Sequence, residues 1–509
     1  MSYSLPPELL CQIFDSDTLQ YDDQVIFARV CKSWCDIVAS LIWKKVPNIE
    51  VLFRLLAPFT LRDEKLAFDR SLKPEDWERF DYYAYRVHDL DQIGWSLHPS
   101  IFTEISTSRL GGLPPSGLLP NLRRLQHYHC TFEYIDFFLH PTVTTLVLAP
   151  LTGWHSLGPV LESLPIRTPH IATLSISALA YPLTKDAERL VTEVLPKLSS
   201  LASISLPSLW PTGSVVNALA SCSSLSKLST APIFRNQHTG DSSPELFSTS
   251  ISPTGFPLLS TLQTSLTFCR ATEVLSQGEQ FSTLSRLLLR SPRIEIPQEY
   301  GALLTALSNY CPDLEHLALC ITLFPRPTYH SDCLTYRELS PLRHLTRLQT
   351  LSLQHTNSFQ LGPEDFITII RALPSLTELD FNPIPYIKTT PTLNISILSI
   401  LRDLCPNLRF LGLYLDAREQ YIPPHPPSEG EGRFDRPMPE LSEFPHLKVF
   451  KVGMSPISSP AKLATYLCRL LPHSCNLIST WDEDEGEEDR EAAQKWGEVV
   501  GLIRAAKQV

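Results

Sequence analysis

One short phrase returns about a dozen times in this sequence and constrains its fold more than any other feature. The phrase is a proline or another turn residue followed by L-x-x-L-x-L, where Ile, Val or Phe can replace Leu. The copies are mostly about 21 to 39 residues apart. Their first apolar residues are Leu122, Val143, Ile171, Leu201, Leu225, Leu259, Leu284, Leu314, Leu348, Leu376, Leu408 and Leu447, with a shortened copy at Leu477.

The phrase predicts a strand, because its last apolar residues alternate with polar ones as one buried strand face requires. Helix-like segments lie between the copies, at 186–195, 213–219, 299–310, 363–373, 397–404 and 460–471. A proline often precedes the next phrase and stops the helix, as at Pro196, Pro312, Pro374 and Pro406. A strand and a return helix, stacked many times, predict an α/β fold: a curved leucine-rich-repeat solenoid with a parallel sheet inside and helices outside.

The composition excludes several classes of function. The net charge is -11 and no Lys/Arg-rich run occurs, so nucleic-acid binding is not expected. No window approaches 18 uninterrupted apolar residues, and the N-terminus has no secretory pattern, so neither a membrane span nor a signal peptide is predicted. The 12 cysteines include no CxxC pair, which indicates reduced thiols in a cytoplasmic or nuclear protein.

The N-terminal stretch 4–43 has apolar residues at helical spacing, with prolines suited to an opening turn. It resembles the F-box, whose pattern runs L-P-x-E-L-L, then I-F, then A-x-V-C-K-x-W, and often a closing Trp. The matching residues are Leu5, Pro6, Glu8, Leu9, Leu10, Ile13, Phe14, Ala28, Val30, Cys31, Lys32, Trp34 and Trp43. The stretch 15–23 departs from the family pattern in being more acidic.

The resemblance implies a role. F-box proteins with leucine-rich repeats join a Skp-type adaptor to a substrate within an SCF-type cullin–RING ubiquitin ligase. The chain would then be a non-catalytic substrate receptor, with the adaptor and the cullin scaffold as partners. The implied adaptor-binding residues are Leu5, Pro6, Leu9, Leu10, Ile13, Phe14, Val30, Cys31, Trp34 and Trp43. Among them, substitution of Leu9, Ile13 or Trp34 is expected to weaken adaptor binding most, since large apolar anchors dominate interfaces.

The predicted domain organisation has four parts. Residues 1–46 form the F-box-like helical domain, and 47–118 form a helical, aromatic connector with the first irregular repeats. The repeat solenoid covers 119–481, with insertions near 230–256, 324–338 and 417–444. Residues 482–509 form an acidic linker and an amphipathic helix. That helix is expected to cap the last repeat with Trp496, Val499, Val500, Leu502 and Ile503.

No catalytic motif appears: GxGxxG, P-loop, GxSxG and HExxH patterns are all missing from the sequence. The nearest approach to a metal site is His127, His129 and Cys130, which we interpret as surface histidines on an ordinary repeat strand because no further ligand is indicated. Cys311 and Cys405 each precede a proline at the same repeat position, which predicts buried thiols. Neither a metal, a cofactor nor an enzymatic activity is therefore expected.

Two other functions remain open at this stage. The chain could be a scaffold outside any ligase, its N-terminal hairpin only capping the solenoid, or a receptor gated by a small molecule bound on the concave face. The substrate is not indicated, because the residues between the core leucines have mixed charge. Those expected on the exposed sheet face are Arg123, Arg124, Thr145, Ser175, Arg286, Glu315, Gln349, Glu378 and Arg409.

Overall fold

The computed structural model describes residues 6–14, 21–93, 96–109, 117–130, 134–150, 154–177, 182–231, 247, 251–252, 254–321, 332–423, 442–480 and 487–507. The chain divides into two compact units, Met1–Lys227 and Leu228–Val509. Within the described ranges, no helix is both long enough and apolar enough to cross a membrane.

The first unit opens with the helices α1 (Pro7–Phe14), α2 (Tyr21–Phe27) and α3 (Lys32–Ile42). Leu10, Phe14 and Val38 form their small buried core. The Phe14 ring packs against Phe27 at 5.2 Å and against Trp34 at 5.1 Å between ring centroids. Such aromatic pairs stabilise a core beyond their buried area, which suits a segment with few buried residues.

A parallel sheet follows these helices in the first unit. The strands that begin in this unit are β1 (Lys45–Val46), β2 (Phe59–Arg62), β3 (Lys65–Phe68), β4 (Asp89–Leu90), β5 (Arg124–Cys130), β6 (Thr145–Pro150), β7 (Thr173–Ile176), β8 (Ser203–Leu206) and β9 (Lys227–Thr230), the last starting at the final residue of the unit. Strands β2 and β3 form a separate antiparallel hairpin, whereas β1 and β4 to β8 pair in parallel and in chain order. The helices are α4 (Glu50–Phe53), α5 (Asp76–Ala84), α6 (Ser100–Ser108), α7 (Trp154–Arg167), α8 (Lys185–Val194) and α9 (Gly213–Ala220).

The second unit has the same alternation. Its strands are β10 (Thr261–Ser265), β11 (Arg286–Ser291), β12 (His316–Ile321), β13 (Thr350–Leu353), β14 (Glu378–Phe381), β15 (Phe410–Leu413), β16 (Val449–Gly453) and β17 (Asn476–Ser479), all parallel and in chain order. Its helices are α10 (Phe268–Leu275), α11 (Pro297–Tyr310), α12 (Tyr336–Leu339), α13 (Pro363–Arg371), α14 (Ile397–Leu404), α15 (Pro460–Cys468) and α16 (Glu487–Lys507).

Strand register explains why the leucines recur. The second apolar position of each phrase pairs with the same position of the next, so the side chains stack into a buried ladder. In the second unit the ladder runs Leu262, Leu287, Leu317, Leu351, Leu379, Leu411, Phe450 and Leu477. In the first unit it runs Leu125, Leu146, Leu174 and Ile204. One repeat cannot bury its own apolar face, and stacking removes that face from water.

The predicted fold class is confirmed as an α/β repeat solenoid. The return helices α8, α9, α11, α13, α14 and α15 begin and end within a few residues of their predicted bounds. Threonine caps mark several helix starts: Thr184 accepts a hydrogen bond from the Ala187 N–H at 3.3 Å, and Thr212 accepts one from the Val215 N–H at 3.4 Å. Most of the predicted insertions at 230–256, 324–338 and 417–444 lies outside the described residues.

The C-terminal helix α16 packs on α15 and β17. Trp496, Val499 and Ile503 are buried at helical spacing, and the Trp496 indole N–H donates to the Ser455 carbonyl at 2.8 Å. Val500 is half-buried. Leu502 is 45% exposed, so its prediction as part of the packed face was wrong: α16 buries a narrower stripe, spaced i, i+3 and i+7, than the apolar residues suggest.

Candidate functional site

Helix α1 divides its apolar residues between two faces. Leu10 is 5% exposed and Phe14 1%, whereas Leu9 is 45% exposed and Ile13 49%. Residues four apart lie on the same side of a helix, so each pair forms its own stripe. The stripe of Leu10 and Phe14 builds the core of the N-terminal helices, and the stripe of Leu9 and Ile13 faces solvent.

Helix α2 and the turn after it add to the exposed apolar surface. Val30 is 59% exposed, and Ile26, four residues earlier, is 60% exposed. Ile26 was not among the predicted site residues, although its spacing from Val30 could have indicated it. We call Leu9, Ile13, Ile26 and Val30 the exposed apolar set. Pro6 is also exposed, and Leu5 lies outside the described residues.

The remaining predicted residues are at the two ends of α3. Cys31 is exposed at the N-cap, and the pKa of its thiol is lowered by hydrogen bonding to the Ser33 hydroxyl, 3.2 Å away, and to the Trp34 N–H. Trp34 is half-buried against Phe14. Trp43 is half-buried and stacks on Tyr83 with 4.5 Å between ring centroids. The ten predicted residues therefore include both packing residues and exposed ones.

Helix α3 also holds the N-terminal helices against the rest of the first unit. Asp36 accepts a hydrogen bond from the Tyr82 hydroxyl at 2.5 Å and lies 3.7 Å from the Arg86 guanidinium. The hydrogen bond to Asp36 raises the pKa of Tyr82. Together with the stack of Trp43 on Tyr83, these contacts join α3 to α5 and the turn after it. They use none of the exposed apolar set.

The histidine cluster has a different environment from the one predicted. His127 is 2% exposed and pairs in register with Leu148, the last apolar residue of the next phrase, so its ring is on the buried face of the sheet. The prediction of a surface histidine was wrong at His127, because this repeat places a histidine where its neighbours have an apolar residue. The side chains of His129 and Cys130 lie outside the described part. Within that part, no group of three His, Cys, Asp or Glu residues could hold a metal ion.

Cys311 and Cys405 are fully buried, as predicted. Burial raises the pKa of the Cys311 thiol to about 12 and that of Cys405 to about 11. A thiol that stays protonated is a poor nucleophile, so both side chains act as small core residues.

The residues between the core leucines occupy two kinds of position. Arg123, Arg124, Arg286, Glu378 and Arg409 are exposed, and Thr145, Ser175, Glu315 and Gln349 are half-buried. Arg124, Thr145, Ser175, Arg286 and Glu378 lie in strands one residue from a ladder position, so their side chains are on the opposite face of the sheet. Strand alternation does not place the other four on that face, because they precede their strands and lie two residues before the ladder position: Arg123, Glu315, Gln349 and Arg409. Their charges are mixed, and no single recognition chemistry stands out among them.

The geometry defines the class of protein: a leucine-rich-repeat array with a small helical domain at its N-terminus. Residues 3–46 match the family described as F-box-like. The chain therefore joins an F-box-like domain to leucine-rich repeats, two architectures used for protein interaction. F-box domains generally bind Skp-type adaptors.

Several solved structures are similar to the chain. An internalin, InlF, from Listeria monocytogenes has 13% identity and a TM-score of 0.34, covering 72% of this chain and 82% of its own. The leucine-rich repeat-containing protein LegL7 from Legionella pneumophila has 14% identity and a TM-score of 0.34, covering 62% and 97%. A chain of the yeast Rad7 and Elc1 complex has 14% identity and a TM-score of 0.25, covering 57% and 76%. No curated protein matches the sequence.

Proposed function

We propose that this chain is the substrate-recognition subunit of an SCF-type cullin–RING ubiquitin ligase. The F-box-like domain docks on a Skp-type adaptor carried by the cullin scaffold, and the repeats bind a protein substrate. The chain catalyses no step itself. It raises the effective concentration of a substrate lysine near the charged conjugating enzyme, so its contribution is positional. The proposal implies a cytoplasmic or nuclear location.

The exposed apolar set is the observation that carries this proposal. Large apolar side chains exposed on a small helical domain are a common mark of a protein interface. The rival hypothesis, a hairpin that only caps the solenoid, expects these side chains to be packed against the repeats. Leu9 and Ile13 are instead about half exposed, and the contact with α5 is made by Asp36 and Trp43.

A double substitution tests the proposal. Leu9→Asp with Ile13→Asp places two charges in the proposed interface, and we expect adaptor affinity to fall at least about 30-fold, which is the loss of a single anchor worth ~2 kcal/mol. Because both side chains are exposed, the unfolding midpoint should stay near that of the parent chain. The measurement is co-purification with a co-expressed Skp-type adaptor, followed by a titration of the purified partners.

Leu61→Asp is the matched control. Leu61 is 72% exposed in the β2–β3 hairpin of the same unit, so this variant adds a charge at a solvent-facing leucine outside the F-box-like domain. It should bind the adaptor normally. Undiminished adaptor binding by the Leu9 and Ile13 double variant would contradict the proposed function and favour the non-ligase scaffold.

A further inference from the structure

The β2–β3 hairpin of the first unit has one paired edge and one open edge. On the β3 side, the Leu66 N–H donates to the Ser96 carbonyl and the His98 N–H donates to the Leu66 carbonyl, both at 2.7 Å. On the β2 side, Leu61 is 72% exposed, and the residues before and after it are exposed as well. The segment 96–98 therefore completes one edge of the hairpin and leaves β2 as an edge strand.

Strand register decides which backbone groups of β2 face the open edge. Opposed residues in an antiparallel pair alternate between hydrogen-bonded and non-hydrogen-bonded pairs. Just beyond the strands, the Asp69 N–H donates to the Pro58 carbonyl at 3.1 Å, so the hydrogen-bonded pairs fall on the even-numbered residues of β2. Leu61 opposes Leu66 in a non-hydrogen-bonded pair, and its N–H and C=O point away from β3. They make no hydrogen bond with any described residue.

The core of the first unit holds this edge in place. The Phe59 and Phe68 rings stack with 5.7 Å between their centroids, and Phe68 also packs against Phe53 at 6.4 Å. Ala67 is fully buried, and Phe68 is 6% exposed. An incoming segment would meet a strand that is already extended and packed, so binding costs little further backbone entropy on the side of the hairpin.

Charge on one face of the hairpin selects the kind of segment that fits. Arg62 and Lys65 oppose each other in register, so two exposed cations lie side by side on that face. Like charges directly opposite each other are destabilising, and an acidic residue on a third strand would lie next to Arg62. The Asp63 carboxylate lies 3.5 Å from the His98 imidazole, at the paired edge, and Glu64 stands in the turn beyond the opposed residues.

The other face of β2 selects an apolar residue. There the pair of Leu66 and Leu61 forms an apolar row that ends at the open edge, and one apolar side chain on a third strand would continue it. A second copy of β2 could supply a leucine. The register that opposes two Leu61 side chains, however, makes the two Arg62 side chains diagonal neighbours, which their like charge disfavours. A segment with alternating apolar and acidic residues fits both faces.

We propose that β2 binds an extended segment of a partner protein as a third strand of the hairpin sheet. The segment alternates apolar and acidic residues. Its backbone pairs with the Leu61 N–H and C=O, an apolar side chain packs on Leu61, and an acidic side chain pairs with Arg62. Main-chain hydrogen bonds supply the affinity in this mode of binding, and alternate side chains supply the specificity. The site lies outside the F-box-like domain, so it stands independently of the proposed ligase function.

Three peptides, titrated into the full-length chain by saturation-transfer NMR, test the proposal. The first is acetyl-Thr-Val-Glu-Val-Glu-Val-Thr-amide, and the second has lysine in place of both glutamates. The third is the acidic peptide with N-methyl groups on the central valine and the glutamate after it, which removes a backbone donor from each edge. We expect the acidic peptide to bind about 5-fold more tightly than the lysine peptide, because cross-strand charge contacts become repulsive in the latter. N-methylation should weaken binding about 5-fold, since a backbone hydrogen bond is lost.

Variants of the chain assign the binding to β2. Arg62→Glu should reverse the preference, so that the lysine peptide binds about 5-fold more tightly than the acidic one. Its unfolding midpoint should stay unchanged or rise, because a glutamate opposite Lys65 replaces a like-charge pair. Leu61→Pro removes the outward N–H and no hydrogen bond to β3, and it should weaken the acidic peptide about 5-fold. Arg286→Glu is the matched control: this exposed arginine lies in β11, which is paired on both sides, so the variant should bind like the parent chain.

The proposal is overturned by equal binding of the acidic and lysine peptides, by undiminished binding of the N-methylated peptide, by binding of none of them, or by an unchanged preference in Arg62→Glu. Sedimentation velocity tests the second copy as the occupant. We expect a monomer, and a parent dimer that Leu61→Pro dissociates would also overturn the proposal. The Leu9 and Ile13 double variant should bind the peptides normally, which keeps this test separate from that of the ligase function.

Discussion

Glu295 is a carboxylate inside the second unit, in the segment between β11 and α11. Its side chain is fully buried, accepts hydrogen bonds from the Phe268 N–H at 2.9 Å and from the Ser291 hydroxyl, and lies 3.4 Å from the Arg293 guanidinium. Burial raises the pKa of Glu295 to about 7, helped by a hydrogen bond to Glu299, while the three surrounding donors oppose the rise. Burial therefore outweighs the favourable contacts.

This shift predicts a pH dependence of stability. The pKa of Glu295 rises from its ordinary value of 4.5 to about 7 in the folded state, so the folded chain binds more protons than the unfolded chain between these pH values. The protonated Glu295 carboxyl makes its full contribution to stability below pH 4.5, and this contribution is lost as the pH rises through about 7. Glu295→Gln should reduce that loss by about 1–3 kcal/mol. Urea unfolding of the parent chain and of Glu295→Gln between about pH 4.5 and 7.5 measures how the free energy of unfolding of each depends on pH. Parallel pH profiles would contradict the raised pKa of Glu295.

Residue roles were only partly predictable from the sequence. The ten F-box-like residues could be named from their pattern, but Leu9 and Leu10 are adjacent apolar residues, and which one faces the core depends on how α1 packs against α3. Glu295 gave no signal, because a glutamate between Arg293 and Pro297 looks like an exposed loop residue. Its carboxylate accepts a hydrogen bond from the Phe268 N–H of α10, and only the fold brings that group to it.

At the scale of elements, α16 closes the end of the array. Trp496→Ala should lower the free energy of unfolding of the second unit by about 3–5 kcal/mol, because it opens a cavity in the core and removes the hydrogen bond to Ser455. Leu502→Ala, on the exposed side of the same helix, should change it by less than about 0.5 kcal/mol. Chemical denaturation of the two variants provides the comparison. Equal effects would mean that α16 is not packed through Trp496.

Elements with a strong period were predictable, and short ones were not. The phrase L-x-x-L-x-L was enough to predict strands such as β13, and the prolines were enough to predict helix ends such as that of α14. The two-residue strands β1 and β4 are too short to show alternation, and their pairing is set by the strands around them. The β2–β3 hairpin turns through Asp63 and Glu64 with φ of 50° and 62°; aspartate is common at the first of these positions, whereas glutamate stands where sequence reasoning expects glycine.

At the scale of the molecule, the F-box-like domain and the repeats should be separable in function. Deleting residues 1–42 removes α1 to α3 and keeps β1. Because the buried ladder of the first unit lies within its own strands, the shortened chain should stay folded while losing adaptor binding. Circular dichroism and thermal unfolding report the first outcome, and co-purification reports the second. An unfolded or aggregated product would instead support the hypothesis that the N-terminal helices are an essential cap.

The join between the F-box-like domain and the repeats is very short. Helix α3 ends at Ile42 and β1 begins at Lys45, so Trp43 and Lys44 are the whole connection, and Trp43 is itself stacked on Tyr83. A partner held by the N-terminal helices would therefore meet the first repeats at a set angle and not at the end of a flexible tether. Within this unit, side-chain packing therefore sets the orientation in which a bound protein is presented. Substitutions at Trp43 or Tyr83 would change the orientation of the bound partner before they changed the affinity for it.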